Sequence, residues 1–283
     1  MPDLVITPPP LAAPRTGLLT TAADLTPADS HWTGGITWRP EPCPHASARA
    51  DVCAPGQQIE LLAGAPSGIR AHRPIVVTAD EQCSAISEHA RAVYEARALR
   101  ALFAVQSFAA ARELWAGPVA QQAGFTDNLW LTKAGVAQDL TPAGGPASIS
   151  RALDILEQGL AEHGLSGGRG AIHLPIAAIP FIGVTNLGST VVTVAAGTPL
   201  IADGGYPGTG PGDTTPAAGT AWAYATGRPF SAVSEPWLIP GPNDPLAAAL
   251  DRTDNTFRFV AERYVLATWD SCWVGAVHIT LGA

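Results

Sequence analysis

Between Thr78 and Trp115 the chain runs TADEQCSAISEHARAVYEARALRALFAVQSFAAARELW with no proline or glycine, although it holds 26 and 29 of them overall. Ala, Glu, Arg and Leu dominate the stretch, and each loses little side-chain freedom in a helix. Thr78 and Glu81 read as a capping box, and Gly117-Pro118 as a stop. The spacing predicts a helix from about Ser84 to Trp115, roughly 45–50 Å long at ~1.5 Å per residue. Ile86, Ala90, Val93, Tyr94, Val105, Phe108 and Trp115 share one face of it, with Glu88, Arg91, Glu95, Gln106 and Glu113 opposite. Leu99, Leu102 and Phe103 lie off that stripe, so the helix needs cover on more than one side.

A second helix is predicted over Ser148–His163. Ser148 caps it, Gly164 ends it, and Ile149, Leu153, Leu156 and Leu160 form its apolar stripe. After Gly170 the pattern changes to short strands between turn residues: AIHLP, STVVTVA, TPLIAD, AWAYAT and RPFSAV. DNTFRFVAERYVLATWDSCWVGAVHITL reads as two long strands forming a closing pair, although the run can also be drawn as an amphipathic helix. Phe257, Phe259, Ala261, Val265 and Ala267 face one way, Arg258, Glu262, Tyr264 and Thr268 the other, and Arg263 interrupts the apolar face.

Ahead of the long helix, prolines at 2, 8, 9, 10, 14 and 27 preclude a long helix over residues 1–34. That segment is expected to be an extended arm that buries little against its own chain, with disorder as the competing reading. Residues 35–77 read as a long two-stranded excursion. GITWRPEP pairs with PGQQIELLAG across CPHASARADVC, and RPIVVT leads as a short strand into the helix. A projection of this length is hard to pack internally and is expected to lie on a neighbouring subunit.

Composition adds to this picture. Hydrophobic residues make up 47% and charged residues 14%, a balance that suits a chain hiding surface between subunits. A net charge of −8, with Lys133 the only lysine, argues against a nucleic-acid-binding patch. No apolar run is long enough for a membrane helix, and the N-terminus has no signal-peptide pattern, so synthesis in the cytoplasm is expected. Cys43, Cys53, Cys83 and Cys272 are too scattered for a disulfide framework. Buried, unpaired cysteines are the favoured reading; a Cys43–Cys53 bridge is an alternative, and a zinc site with His45 and His72 a weaker one.

The search for chemistry returns no catalytic, cofactor-binding or metal residues. There is no nucleophile elbow, no His-Glu-x-x-His and no dinucleotide fingerprint. His31, His45, His72, His89, His163, His173 and His278 stand apart, each read as an ordinary core or surface residue. GGYPGTGPGDTTPAAG superficially suggests a phosphate loop but lacks Gly-Lys-Ser/Thr and a following helix. Active sites also assemble from distant residues, so an α/β enzyme with an unrecognised site stays open as an alternative.

The ordered set of parts resembles the major capsid proteins of tailed bacteriophages, with the Hong Kong 97-type fold that encapsulin shells share. TPLIADGGYPGTG, AAGTAWAYATGRPFSAVSE and NTFRFVAERYVLATWDSCWVGAVHITL carry the resemblance, and RALFAVQSFAAARELWAG and GRGAIHLPIAAIPFI resemble actinobacterial-phage versions. The resemblance implies an α+β fold with an N-terminal arm (1–34), an extended loop (35–77), a peripheral domain with a long spine helix (78–147), an axial domain (148–250) and return strands of the peripheral domain (251–283). It implies hexamers and pentamers of this chain in an icosahedral shell around double-stranded DNA, with scaffolding, decoration and portal proteins as further partners, in the virion. An encapsulin-type compartment is the alternative use, and a minor virion protein a weaker one. Residues 35–77 contain no lysine, so the founding member's lysine–asparagine cross-link cannot form from this loop. Under this reading Ile86, Val93, Val105, Phe108 and Trp115 seat the spine helix on the peripheral sheet. Ile149, Leu153, Leu156 and Leu160 seat the second helix on the axial sheet. A charge at Val105 or Phe108 is therefore expected to be strongly destabilising.

Overall fold

A computed structural model describes residues 17–25, 30–40, 43, 68–83, 88–182, 192–194, 197–270 and 272–282, with backbone only for 30, 88–90 and 192. In chain order, α1 (Leu18–Thr21) and β1 (Ala23–Asp24) precede β2 (Ile36–Trp38), β3 (Arg70–His72) and β4 (Ile75–Cys83). The long helix α2 (Glu88–Ala116) is followed by α3 (Pro118–Ala123), β5 (Gln138–Asp139) and α4 (Ile149–Glu162). The remaining strands are β6 (Gly170–Pro175), β7 (Val192–Thr193), β8 (Pro199–Asp203), β9 (Thr220–Gly227), β10 (Pro229–Val233), β11 (Trp237–Ile239), β12 (Leu250–Asp251), β13 (Thr256–Trp269) and β14 (Val274–Thr280).

Two six-stranded sheets result, plus a small β2–β3 ribbon. In the first sheet β13 is the axis. Along one edge it pairs antiparallel in turn with β10, β11 and β12, and along the other with β4, from Phe257 opposite Cys83 to Val265 opposite Ile75. The second sheet runs β5-β14-β9-β6-β8-β7. Its residues alternate between two cores. Ala221, Ala223 and Ala225 of β9 pack with Leu156 and Leu160 of α4, whereas Trp222 and Tyr224 pack with Trp115 of α2. The long helix also covers the first sheet, where Tyr94 stacks on Phe259 at 6.3 Å. It is thus packed against both sheets.

The second helix matches its expected bounds. Ser148 Oγ accepts the Arg151 N–H at 3.4 Å, Ile149, Leu156 and Leu160 are buried, and Gly164 adopts φ 68° just beyond the end. The helix start differs from expectation. Thr78–Cys83 continues a strand in place of a capping box, because Ile75-Val-Val-Thr78 is β-branched and alternates, with Ile75 and Val77 buried and Val76 exposed.

The buried face of α2 is also not the expected one. Ala98, Leu102, Ala110, Ala111, Leu114 and Trp115 are at most 1% exposed, while Val93, Phe103, Val105 and Phe108 are 55%, 41%, 41% and 47% exposed. Ile86 lies outside the described residues, as does the side chain of Ala90. Of the bulky stripe, Trp115 is buried and Tyr94 half-buried. Small alanines let α2 approach the sheets closely, so the closest packing falls on a face that bulky-residue patterning overlooks. A Cβ on Gly205 would strike the Phe108 carbonyl oxygen and lie 2.9 Å from both Ala111 Cβ and Arg112 N. Gly205→Ala is therefore expected to cost about 1–3 kcal/mol, since backbone blocks the methyl. Phe108→Asp, on the same turn but exposed, should cost the isolated chain under about 1 kcal/mol. Denaturant unfolding of the two variants checks the ordering, and a larger loss in Phe108→Asp would refute this account.

The two C-terminal strands, expected to pair with each other, enter different sheets: β13 the first and β14 the second. Ala276, Val277 and Ile279 are fully buried, and Ala276 and Val277 belong to different cores. A strand apolar on both faces requires a central place in a covered sheet.

The described part of the arm is not detached from its own chain. Leu18 is fully buried, its N–H donates to Asp203 Oδ2 at 3.1 Å, and β1 pairs parallel with β10. In the excursion, Ile36–Trp38 pairs with Arg70–His72, and residues 44–67, which hold both the tip and PGQQIELLAG, lie outside the described residues.

Candidate functional site

Among the described residues no group of three or more His, Cys, Asp or Glu side chains is placed to hold a metal ion. His163 stacks on Trp273 at 4.7 Å and His278 on Trp222 at 4.9 Å. His173 is fully buried between the Tyr206 hydroxyl and Thr226 Oγ1, each at 2.9 Å. Burial holds its imidazole down at about 3, so it is neutral at ordinary pH. His72 is also buried and held at about 4, by burial first and the Lys133 charge second. These rings sit in structural positions. His31 is exposed, and His45 and the side chain of His89 lie outside the described residues.

Cys43 does not pair with Cys53. It forms a disulfide with Cys272, and Cys83 is free. Nothing in the sequence points to that partner, because the two lie 229 residues apart. Pairing is decided by Cα separation, here 5.3 Å, which only the fold creates.

The glycine-proline loop after β8 is a packing device. Gly205 takes the close approach of α2, Tyr206 is buried against Trp115 at 4.8 Å, and the Trp115 indole N–H donates to the Thr209 carbonyl at 3.1 Å. Asp203 Oδ2 accepts hydrogen bonds from Leu18 N and Ser107 Oγ, and Oδ1 accepts from Gly205 N, joining arm, helix and loop. Glu113 Oε1 and Oε2 accept the Ala120 and Val119 N–H groups and so cap α3, while burial pushes its carboxyl up. Arg263, which interrupts the apolar face of β13, is accommodated by hydrogen bonds to neutral acceptors. Nε and Nη2 donate to the Ser234 carbonyl, Nη1 to Gln106 Oε1 at 2.8 Å, and the guanidinium lies over the Phe103 ring.

What stands out is surface. Val93, Phe103, Val105 and Phe108 expose apolar side chains along α2, and Val76, Val233 and Ile239 do so on the first sheet. Exposed apolar residues gathered on single elements mark surfaces of interaction more readily than scattered ones. Recesses among the described residues include open clefts, one of about 690 Å³ between β1, β2, β10 and the turn after α4. No helix among the described residues is long and apolar enough to cross a membrane.

No family model matches the chain, and no curated protein does. Solved structures do. The chain is similar to the capsid of an empty GTA particle at TM-score 0.56 and 11% identity, over 99% of this chain and 95% of that one. It is also similar to a Gordonia phage Cozz structure, at TM-score 0.47 and 13% identity over 100% and 92% of the two chains. Against the holo-SrpI encapsulin complex from Synechococcus elongatus the TM-score is 0.46 and the identity 10%, over 93% and 86%. The chain therefore has the fold of a capsid protein, in keeping with the Hong Kong 97-type resemblance carried by the order of its elements.

Proposed function

We propose that this chain is a phage-type major capsid protein that assembles with copies of itself, as hexamers and pentamers, into an icosahedral shell enclosing double-stranded DNA. The observation that carries the reading is the fold likeness to a particle capsid over nearly the whole of both chains. The exposed apolar side chains of α2 and of the first sheet support it, because contact with other copies would remove them from water. The low charge content of 14% points the same way. Its role is structural, and no residue is assigned to catalysis, cofactor or metal.

The division into arm (1–34), extended loop (35–77), peripheral domain (78–147), axial domain (148–250) and returning segment (251–283) belongs to the same proposal. The two sheets give it content: the first unites β4 with β13, and the second gathers β5 to β9 with β14. β10 and β11, within 148–250, and β12 also lie in the first sheet with β13, whereas β14 joins the second, so the proposed boundaries do not follow the sheets strictly.

Electron microscopy of purified, nuclease-treated protein tests the proposal. Uniform closed shells tens of nanometres across are expected, and nuclease-protected DNA in particles from infected or producing cells. Shells filled with one protein cargo and no DNA would overturn the phage-head reading in favour of a compartment. A small dispersed particle under all assembly conditions would overturn both.

A further inference from the structure

Cys43 and Cys272 link two places that the backbone keeps far apart. Cys272 stands in the short crossover where the chain leaves β13 in the first sheet for β14 in the second. The passage from β9 to β10, at Gly227-Arg228, crosses between the same sheets and lies directly against it. The Asp270 N–H donates to the Arg228 carbonyl at 3.2 Å, and a Cβ on Gly227 would strike the Asp270 carbonyl oxygen. Cys43 follows β2 on the opening limb of the excursion.

Among the described residues, that limb has a short ladder and a few side-chain anchors. The β2–β3 ribbon comprises three residue pairs, Ile36 with His72, Thr37 with Ala71 and Trp38 with Arg70. Described anchors beside it are the edge-on contact of Trp38 with Phe230 at 5.4 Å, the Arg73 guanidinium over the Phe125 ring at 5.1 Å, the buried His72 and the Asn128 side chain. Asn128 Oδ1 accepts the Arg73 N–H at 2.8 Å, and its Nδ2 donates to the Arg73 carbonyl at 3.0 Å. A two-stranded ribbon of this size is marginal by itself. The sheets beneath are not, with β4 and β13 in register over nine residue pairs.

The two sulfurs differ in access. Cys43 is 6% exposed, whereas Cys272 is half-buried and borders two open clefts of about 690 and 400 Å³. The geometry points to a redox latch. The Cys43–Cys272 disulfide ties the excursion's ribbon to the crossover between the sheets, and a small dithiol entering by either cleft releases it while the two-sheet body stays folded. The attacking thiolate bonds to Cys272 Sγ, the Cys43–Cys272 bond breaks, and Cys43 leaves as a thiolate that takes a proton from solvent. The dithiol's second sulfur then displaces Cys272, which also leaves as a thiolate and is protonated. Two electrons pass from the dithiol, which becomes a cyclic disulfide, to the cystine, which becomes two thiols. Under oxidising conditions the ribbon is latched; under reducing conditions it is free. This holds for the single chain, independently of shell formation.

Hydrogen–deuterium exchange on the full-length protein, with and without dithiothreitol, tests the latch, alongside peptide mapping under non-reducing conditions. Mapping should recover Cys43 linked to Cys272. On reduction the ribbon amides of Ile36–Trp38 and Arg70–His72 should exchange at least about tenfold faster, with those of Ile75–Cys83 unchanged. The double variant C43S/C272S without reductant should match reduced wild type and not respond to dithiothreitol. Absence of the linked peptide, equal ribbon exchange in both states, or a double variant as protected as the oxidised protein would overturn the latch. Simultaneous loss of protection in ribbon and β4 would also overturn it, showing that the disulfide holds the whole fold.

Discussion

Trp115→Ala should lower the unfolding free energy by about 3–5 kcal/mol, as large aromatic truncations in a rigid core do. Trp115 is fully buried between Tyr206 and Tyr224, each ring centroid 4.8 Å away, and its indole N–H is bonded to the Thr209 carbonyl. The walls of the resulting cavity cannot close. Tyr206 is held by His173, and the Tyr224 hydroxyl donates to the Thr209 carbonyl at 3.2 Å. The substitution also separates α2 from the second sheet, since this ring joins them. A drop in denaturant midpoint at unchanged m-value is the expected signature, with Trp115→Phe losing less than half as much. A loss below about 1 kcal/mol in the alanine variant would mean that α2 is not seated there.

Acid should be the second large perturbation. His173 is held at about 3 and His72 at about 4, against an ordinary value of 6.5. The unfolded chain therefore binds two more protons than the folded one between these limits, so stability is fully present above pH 6.5 and is lost as pH falls. At pH 5 each histidine accounts for about 2 kcal/mol of that loss. Burial between Tyr206 and Thr226 disfavours the cationic form of His173. Equilibrium unfolding at pH 5, 6 and 7 should show this slope, and His173→Gln, which keeps polar atoms for both hydroxyls, should remove about one proton of it. Equal slopes in the variant and the wild type would show that His173 is not the group titrating.

Much of the element list was legible in the chain. Ser148, the 4/3/4 stripe of Ile149–Leu160 and Gly164 suffice to place α4, because capping and burial periodicity are local properties. The strands at 171–175, 199–203, 221–226 and 229–233 were legible for the same reason. The long helix was legible as a helix but not in its orientation. Apolar residues surround it, and the closest packing is set by Ala98, Ala110, Ala111 and Gly205, whose smallness matters only when a partner backbone is present.

The sequence by itself determined an α+β chain with one long helix, one capped amphipathic helix, short strands, and a surface low in charge. Those features follow from propensity, periodicity and composition, which act within a few residues. Tertiary structure alone decided that Thr78–Cys83 joins β13 as a strand, that β14 parts from β13, that Cys43 meets Cys272, and that Val105 and Phe108 face outward. Each of these depends on which distant surface a segment meets. A strand apolar on both faces or a cysteine with three possible partners carries no local mark of the neighbour that packing will supply.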